Sequence, residues 1–181
     1  MLEKIIIFYP SFERGGVEIT LRNLINYFLE KEIKVTLISS GFKDETIKKN
    51  KLFEYDEIKF TKKFRSPGRI YRAIFASLNL IQLLKKNSRN KSIIFSLQSS
   101  SLSILICKLF GFKIVVRNAE DPIHSIIYDN NKIKSLFSLL LKLILYNFAN
   151  GIITNSNGSK KSLVKILLFK KNLRYIYNPY L

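Results

Sequence analysis

Short β-rich apolar runs alternate with longer stretches of helical period along the whole chain. The first run, Ile5 to Tyr9, is apolar throughout, which predicts a strand buried on both faces. Residues 17 to 31 follow, with Val17, Leu21, Leu24, Ile25 and Phe28 on one helical stripe. Ile33 to Ser39 predicts a second strand closed by Gly41, and a weak strand at Glu57 to Phe60 ends an irregular polar stretch. A helix is expected from Pro67, which suits a first turn because its missing N–H needs no partner there, to about Lys86. Its inward face is expected to be Ile70, Ile74, Leu78 and Ile81. Beyond it the pattern predicts a strand at Ser92 to Leu97, a helix at Ser101 to Phe110 stopped by Gly111, and a strand at Phe112 to Arg117. A helix over 132 to 149 carries Ile133, Leu136, Phe137, Leu140, Ile144 and Phe148 at helical spacing. Strand Gly151 to Asn155, a Lys-faced amphipathic helix over 157 to 170, and strand Leu173 to Tyr177 complete the series.

Strands that alternate with helices predict an α/β, Rossmann-like fold, a mostly parallel sheet with helices on both faces. The 181 residues suit a single domain over 1–181, large enough to fold without disulfide or metal staples. In such a sheet, ligands bind beyond the carboxyl ends of the strands, so the strand-to-helix loops are where chemistry is expected.

Composition narrows the function classes. A hydrophobic content of 47% excludes global disorder. The single cysteine, Cys107, and the single histidine, His124, exclude disulfide scaffolds, zinc ribbons and multi-histidine metal centres, and fit a reducing, cytoplasmic setting. The opening run is too short for a signal-peptide core and lacks a cleavage site. The longest uncharged windows, between Lys91 and Lys108 and between Lys142 and Lys160, fall short of the roughly 18 to 20 apolar residues of a span.

Charge is abundant and uneven: 31 Lys+Arg against 13 Asp+Glu give a net +18, and no acidic residue occurs from Asn130 onward. A second basic cluster, Lys62, Lys63, Arg65, Arg69 and Arg72, opens the Pro67 helix. Two readings stay open, a phosphate-attracting surface for a nucleic acid or an anionic membrane, or a solvated surface in a Lys-rich chain.

Three loops carry candidate chemistry. Glu13-Arg14-Gly15-Gly16-Val17-Glu18 follows the first strand, and consecutive glycines let an anion approach the free N–H groups at a helix start, or simply make a tight turn. Arg117-Asn118-Ala119-Glu120-Asp121-Pro122 offers an arginine fork for phosphate or carboxylate and carboxylates for sugar hydroxyls, or a salt-bridged Asp-Pro turn. In Asn155-Ser156-Asn157-Gly158-Ser159, Ser156 or Asn157 is placed to cap a helix. No Ser/His/Asp or Cys/His constellation appears, and Cys107 lies in an apolar run that reads as core.

At these loops the chain resembles the amino-terminal domain of the family-four retaining glycosyltransferases, which have the GT-B fold of two Rossmann-like halves. The resemblance rests on Gly15-Gly16-Val17-Glu18 with Leu21 and Leu24, on Lys34-Val35-Thr36-Leu37-Ile38, and on Val115 to Pro122. Ala149 to Ser156 and Tyr175-Ile176-Tyr177-Asn178-Pro179 extend it to essentially the whole chain. It implies transfer of a sugar from a nucleotide-sugar to a glycan or lipid-linked acceptor with retention of configuration, needing no metal and no cofactor beyond the donor substrate. By the same resemblance Gly15 and Gly16 would approach the donor phosphates. Arg117, Asn118 and Asp121, with Glu13, Arg14 and Glu120 beside them, would line the acceptor side. Some members place a histidine where Arg117-Asn118 stands here. The half that binds the nucleotide is expected beyond Leu181 or as a separately encoded partner, so the chain alone is expected to be inactive. Peripheral docking of the basic clusters on the inner face of the cytoplasmic membrane is a further expectation. A non-enzymatic nucleic-acid-binding module is the rival, supported by charge alone.

Overall fold

A computed structural model describes residues 2–11, 16–59, 68–119, 121, 132–168 and 172–176, with the side chains of Arg69, Lys134 and Ser135 left aside. Its strands are β1 (Lys4–Ser11), β2 (Lys34–Ser40), β3 (Phe53–Glu57), β4 (Ser92–Ser96), β5 (Lys113–Asn118), β6 (Gly151–Thr154) and β7 (Leu173–Tyr175). The helices are α1 (Gly16–Glu30), α2 (Glu45–Lys48), α3 (Arg69–Lys86), α4 (Ser100–Leu109), α5 (Lys132–Leu145) and α6 (Asn157–Ile166), with a 3₁₀ turn at Tyr146–Phe148 after α5. Among the described residues the strands form one sheet in the order β3-β2-β1-β4-β5-β6-β7, every neighbouring pair parallel. The chain therefore starts in the middle, winds outward to β3, then returns past β1 and winds the other way. The right-handedness of parallel crossovers puts α1 on one face and α3 to α6 on the other.

Two apolar clusters confirm that division. Ile5, Ile7 and Tyr9 of β1 pack with Leu21 and Ile25 of α1, while Ile6 and Phe8 pack with Leu80, Ile104, Cys107 and Leu163 from the opposite layer. Alternation along β1 thus fills both cores, as its unbroken apolar run requires. On the outer side of β2, the Lys4 ammonium donates to Glu54 at 2.8 Å across Thr36, whose hydroxyl also donates to Glu54 at 2.7 Å. These two donors, Lys4 foremost, hold the carboxyl below its ordinary range.

The expected α/β, Rossmann-like class is the observed one. Three local expectations are corrected. The third strand runs over Phe53–Glu57 rather than Glu57 to Phe60. Its register is drawn back because Phe53 and Tyr55 both pack against Phe42, and the Tyr55 hydroxyl donates to the Ser39 carbonyl at 3.2 Å. The helix expected over 157 to 170 ends at Ile166, and the one expected over 132 to 149 tightens into a 3₁₀ turn after Leu145. Gly111 does end α4, at φ +71°, where a side chain would be strained.

The largest correction concerns α3. Ile70, Ile74 and Leu78 face outward, and the buried face is Ala73, Ala76, Ser77, Leu80 and Leu84. The helix lies over the sheet centre against β1 and β2, where small residues let the backbones approach and Ser77 satisfies its hydroxyl on the Ala73 carbonyl at 2.7 Å. Hydrophobic periodicity weights Ala and Ser too lightly to find such a face. Leu80→Ala is expected to cost about 2–5 kcal/mol in denaturant unfolding and Leu78→Ala less than about 1 kcal/mol. Equal losses would restore the rotation expected from periodicity.

Candidate functional site

The winding direction reverses between β1 and β4, and this is where a parallel sheet opens a crevice at its carboxyl edge. The strand ends that meet there are Ser11 of β1, Ser96 of β4 and Asn118 of β5, with Thr154 of β6 beyond. The backbone N–H of Ser11 donates to the Gln98 side-chain oxygen at 2.9 Å, so the β4–α4 loop fixes the point where the chain leaves for the glycine loop. Beneath it the Ser96 hydroxyl accepts from Ser103 at 2.9 Å and donates to the Gln98 carbonyl at 3.0 Å. Ser99, between them, holds a left-handed conformation at φ 51° and ψ 40° as it starts α4.

Arg117 is the charged group the fold carries deepest into this edge. Ile114 and Val116 of β5 belong to the core under α3 to α6, so alternation turns Arg117 to the opposite face, the one that carries Tyr9. It is 6% exposed, and burial draws its guanidinium below the ordinary arginine value while Tyr9 acts in the other direction. An arginine still stays charged under these conditions, so the sheet holds a desolvated cation at the crevice.

Asn118 and Asp121 turn instead toward α6. The Asn118 amide donates to the Ser159 hydroxyl at 3.2 Å and its oxygen accepts from Tyr146 at 3.4 Å. Ser162 donates to Asp121 at 2.8 Å, one helical turn further along α6. The two residues thereby strap the end of β5 onto α6. Ser156 caps that helix by accepting from the Ser159 N–H at 3.1 Å, as expected of the third loop.

Gly16 opens α1, and among the described residues no atom lies within 4 Å of where a Cβ would stand there. Glu18, in the same first turn, is committed to Arg22 at 3.0 Å, and Arg22 also binds Asp44, tying α1 to the start of α2. Glu13, Arg14, Gly15, Glu120, His124, Lys62, Lys63 and Arg65 lie outside the described residues. Arg69 begins α3, and Arg72 is half-buried one turn on. Cys107 is buried, and desolvation pushes its thiol up to about 12, which removes it as a nucleophile.

The structure therefore brings Gly16, Arg117, Asn118 and Asp121 to one edge and adds the Gln98-Ser99 loop, which sequence reading passed over. A polar run directly after an apolar strand, Gln98-Ser99-Ser100-Ser101, was the available signal.

Comparison with known proteins decides the family. The description Glycosyltransferase Family 4 matches residues 14–180. The chain belongs to that family. No curated protein sequence matches it. Among solved structures it is similar to HepE from Anabaena, crystallised with UDP and glucose, at 13% identity and a TM-score of 0.65, covering 99% of this chain and 45% of that one. A glycosyltransferase from Rickettsia africae is similar at 17% identity and a TM-score of 0.63, covering 97% and 43%. A UDP-N-acetylglucosamine 2-epimerase from Rickettsia bellii is similar at 16% identity and a TM-score of 0.62, covering 98% and 45%. At such identities the likeness shows a shared fold, and this family-4 chain spans under half the length of each.

The strap predicts that Asn118→Ala, which deletes the bonds to Tyr146 and Ser159, lowers unfolding free energy by about 1–3 kcal/mol. An unchanged denaturation midpoint would show that the strap contributes nothing.

Proposed function

We propose that this chain is the acceptor-binding half of a glycosyltransferase that moves a sugar from a nucleotide-sugar to a glycan or lipid-linked acceptor. The observation that carries the reading is the placement of Arg117: a family-4 chain holds its one deeply buried described cation at the crevice, on the face opposite the α6 strap. In the transfer, the bond from the anomeric carbon to the diphosphate breaks, the acceptor oxygen bonds to that carbon, and the hydroxyl proton passes to an oxygen of the departing diphosphate. Negative charge grows on the departing diphosphate, and preorganised donors in a dry site stabilise it far better than water does. The Arg117 fork and the backbone N–H groups at the Gly16 start of α1 are donors of that type. Gly15 is the second glycine of that approach, Glu13, Arg14 and Glu120 belong with Arg117 to the acceptor side, and Asn118 and Asp121 hold the end of β5 beside it through α6.

One half of a cleft cannot orient donor and acceptor together, so the nucleotide is held by a second Rossmann-like half, either in the same polypeptide or separately encoded. A UDP-sugar is the donor class to try first, since HepE was crystallised with UDP-glucose. A nucleotide-sugar donor places the reaction on the cytoplasmic side, and no helix among the described residues is long and apolar enough to cross a membrane. Nucleic-acid binding has only the charge behind it, and membership of this family does not favour it.

The 181-residue chain, assayed with UDP-sugars and lipid or glycan acceptors, is expected to release no UDP above background until a donor-side domain is added. With that domain present, Arg117→Met is expected to lower kcat/KM by about 10²–10³-fold. Transfer by the isolated chain, or full activity of Arg117→Met in the assembled enzyme, would overturn the reading.

A further inference from the structure

At its carboxyl end the central strand β1 passes from backbone pairing to a different kind of hold. β1 and β4 pair as far as Phe8 with Ser96, and the Leu97 N–H donates to the Phe8 carbonyl at 3.0 Å. On the other side β1 meets β2 at Tyr9 with Ser39 and then at Ser11 with Ser40, so two residues of β1 pass one of β2 and Pro10 is the extra one. Proline has no N–H to give to a neighbouring strand, and a bulge is where a strand inside a sheet can accept one. Beyond this point side chains take over. The Ser40 hydroxyl donates to the Pro10 carbonyl at 2.8 Å, and the Ser11 N–H donates to the Gln98 side-chain oxygen at 2.9 Å.

That carbonyl and that N–H belong to one peptide group, and in a trans peptide they point to opposite sides. The Pro10–Ser11 plane is therefore gripped from both flanks, by β2 through Ser40 and by the β4–α4 loop through Gln98. Both residues are buried, so a polar group released here would meet little water in exchange. Gln98 is itself held from behind. The Ser96 hydroxyl donates to its carbonyl at 3.0 Å, the Ser103 hydroxyl of α4 donates to Ser96 at 2.9 Å, and both serines are fully buried. Ser99 follows in its left-handed conformation, with its carbonyl accepting from the Leu102 and Ser103 N–H groups at 3.2 and 3.3 Å. A chain of bonds thus runs from α4 to the peptide at which the backbone departs for Gly16, the first residue of α1.

We propose that Gln98 and Ser40 are positioning residues for anion binding at the carboxyl edge. By fixing the plane of the Pro10–Ser11 peptide they set where the connection to Gly16 begins, and with it where the first N–H groups of α1 stand relative to Arg117. They act through the peptide and need not touch the anion. Neither side chain is part of a strand ladder, so either can be replaced while β1 keeps its backbone pairing with β2 and β4. The proposal rests on the sugar-transfer reading for the anion, and the grip itself is measurable without any ligand.

The labelled 181-residue chain is compared by NMR with Gln98→Met, which keeps the side-chain length but not the acceptor, with Ser40→Ala, and with Ser40→Thr, which keeps the hydroxyl. Without ligand, the Ser11 amide of Gln98→Met is expected to exchange with solvent at least about tenfold faster, while Ile7 and Phe8 keep their wild-type protection. With inorganic diphosphate, the shifts at Gly16 and Arg117 are expected to saturate at about tenfold higher concentration in Gln98→Met and in Ser40→Ala, and close to the wild-type concentration in Ser40→Thr. Unchanged Ser11 exchange in Gln98→Met, wild-type affinity in both deletion variants, or Ser40→Thr as weak as Ser40→Ala would overturn the positioning role alone. A wild-type chain whose Gly16 and Arg117 signals do not respond to diphosphate would overturn the anion reading of this edge, and the positioning role with it.

Discussion

The structure depends on burying both faces of β1. Ile5 to Tyr9 are all at most 3% exposed, and the strand pairs in parallel with β2 on one side and β4 on the other. A strand in that position cannot be reached by a hairpin, because parallel neighbours demand a crossover of a dozen or more residues. Every later connection that rejoins the sheet beside it is consequently a helix, and the windings on either side must run in opposite directions. The crevice at the carboxyl edge is the direct result. Gly16, the Gln98 loop and Arg117 lie at it because β1, β4 and β5 are neighbours.

The strand series and the parallel class were legible in the sequence because completely apolar runs such as Ile5 to Tyr9 leave little choice. Ser156 as a cap was legible too, since its chemistry is local. Orientation was less so. Periodicity locates an apolar stripe but does not say whether the stripe faces a core, and on α3 and α5 it does not. On α3 the sheet accepts Ala73, Ala76 and Ser77, residues with little hydrophobic weight, because close approach of backbones matters more there than side-chain volume. At the site, Arg117 announced itself by its position after a strand. The roles of Asn118 and Asp121 in strapping β5 to α6 depend on Ser159 and Ser162, which lie some forty residues away and carry no signal of their own. The same holds for Gln98, whose partner Ser11 is on another strand.

The two ends of the charge distribution do different work. Acidic residues are concentrated before Ile58, and there they are consumed in pairs that hold the first half of the fold: Glu18 and Asp44 with Arg22, Glu54 with Lys4, Glu3 with Lys91. From Ile58 to Ala119 the chain has no carboxylate of its own, and among its cations Lys91 reaches back to Glu3 while Arg117 is buried at the crevice edge. Net charge alone suggested a polyanion in general. Its segregation sets one buried cation at the crevice edge apart from the exposed cations of the helices.

The proposed function rests on anion binding at the carboxyl edge around Arg117 and Gly16. An amide-resolved NMR titration of the labelled chain with inorganic diphosphate tests it most directly. The backbone signals of Gly16, Gln98 and Arg117 are expected to move together and saturate, while Lys91 and Asn150 at the amino edge stay in place. Shifts spread over the lysines of α3 and α5 with Gly16 and Arg117 unmoved would contradict it.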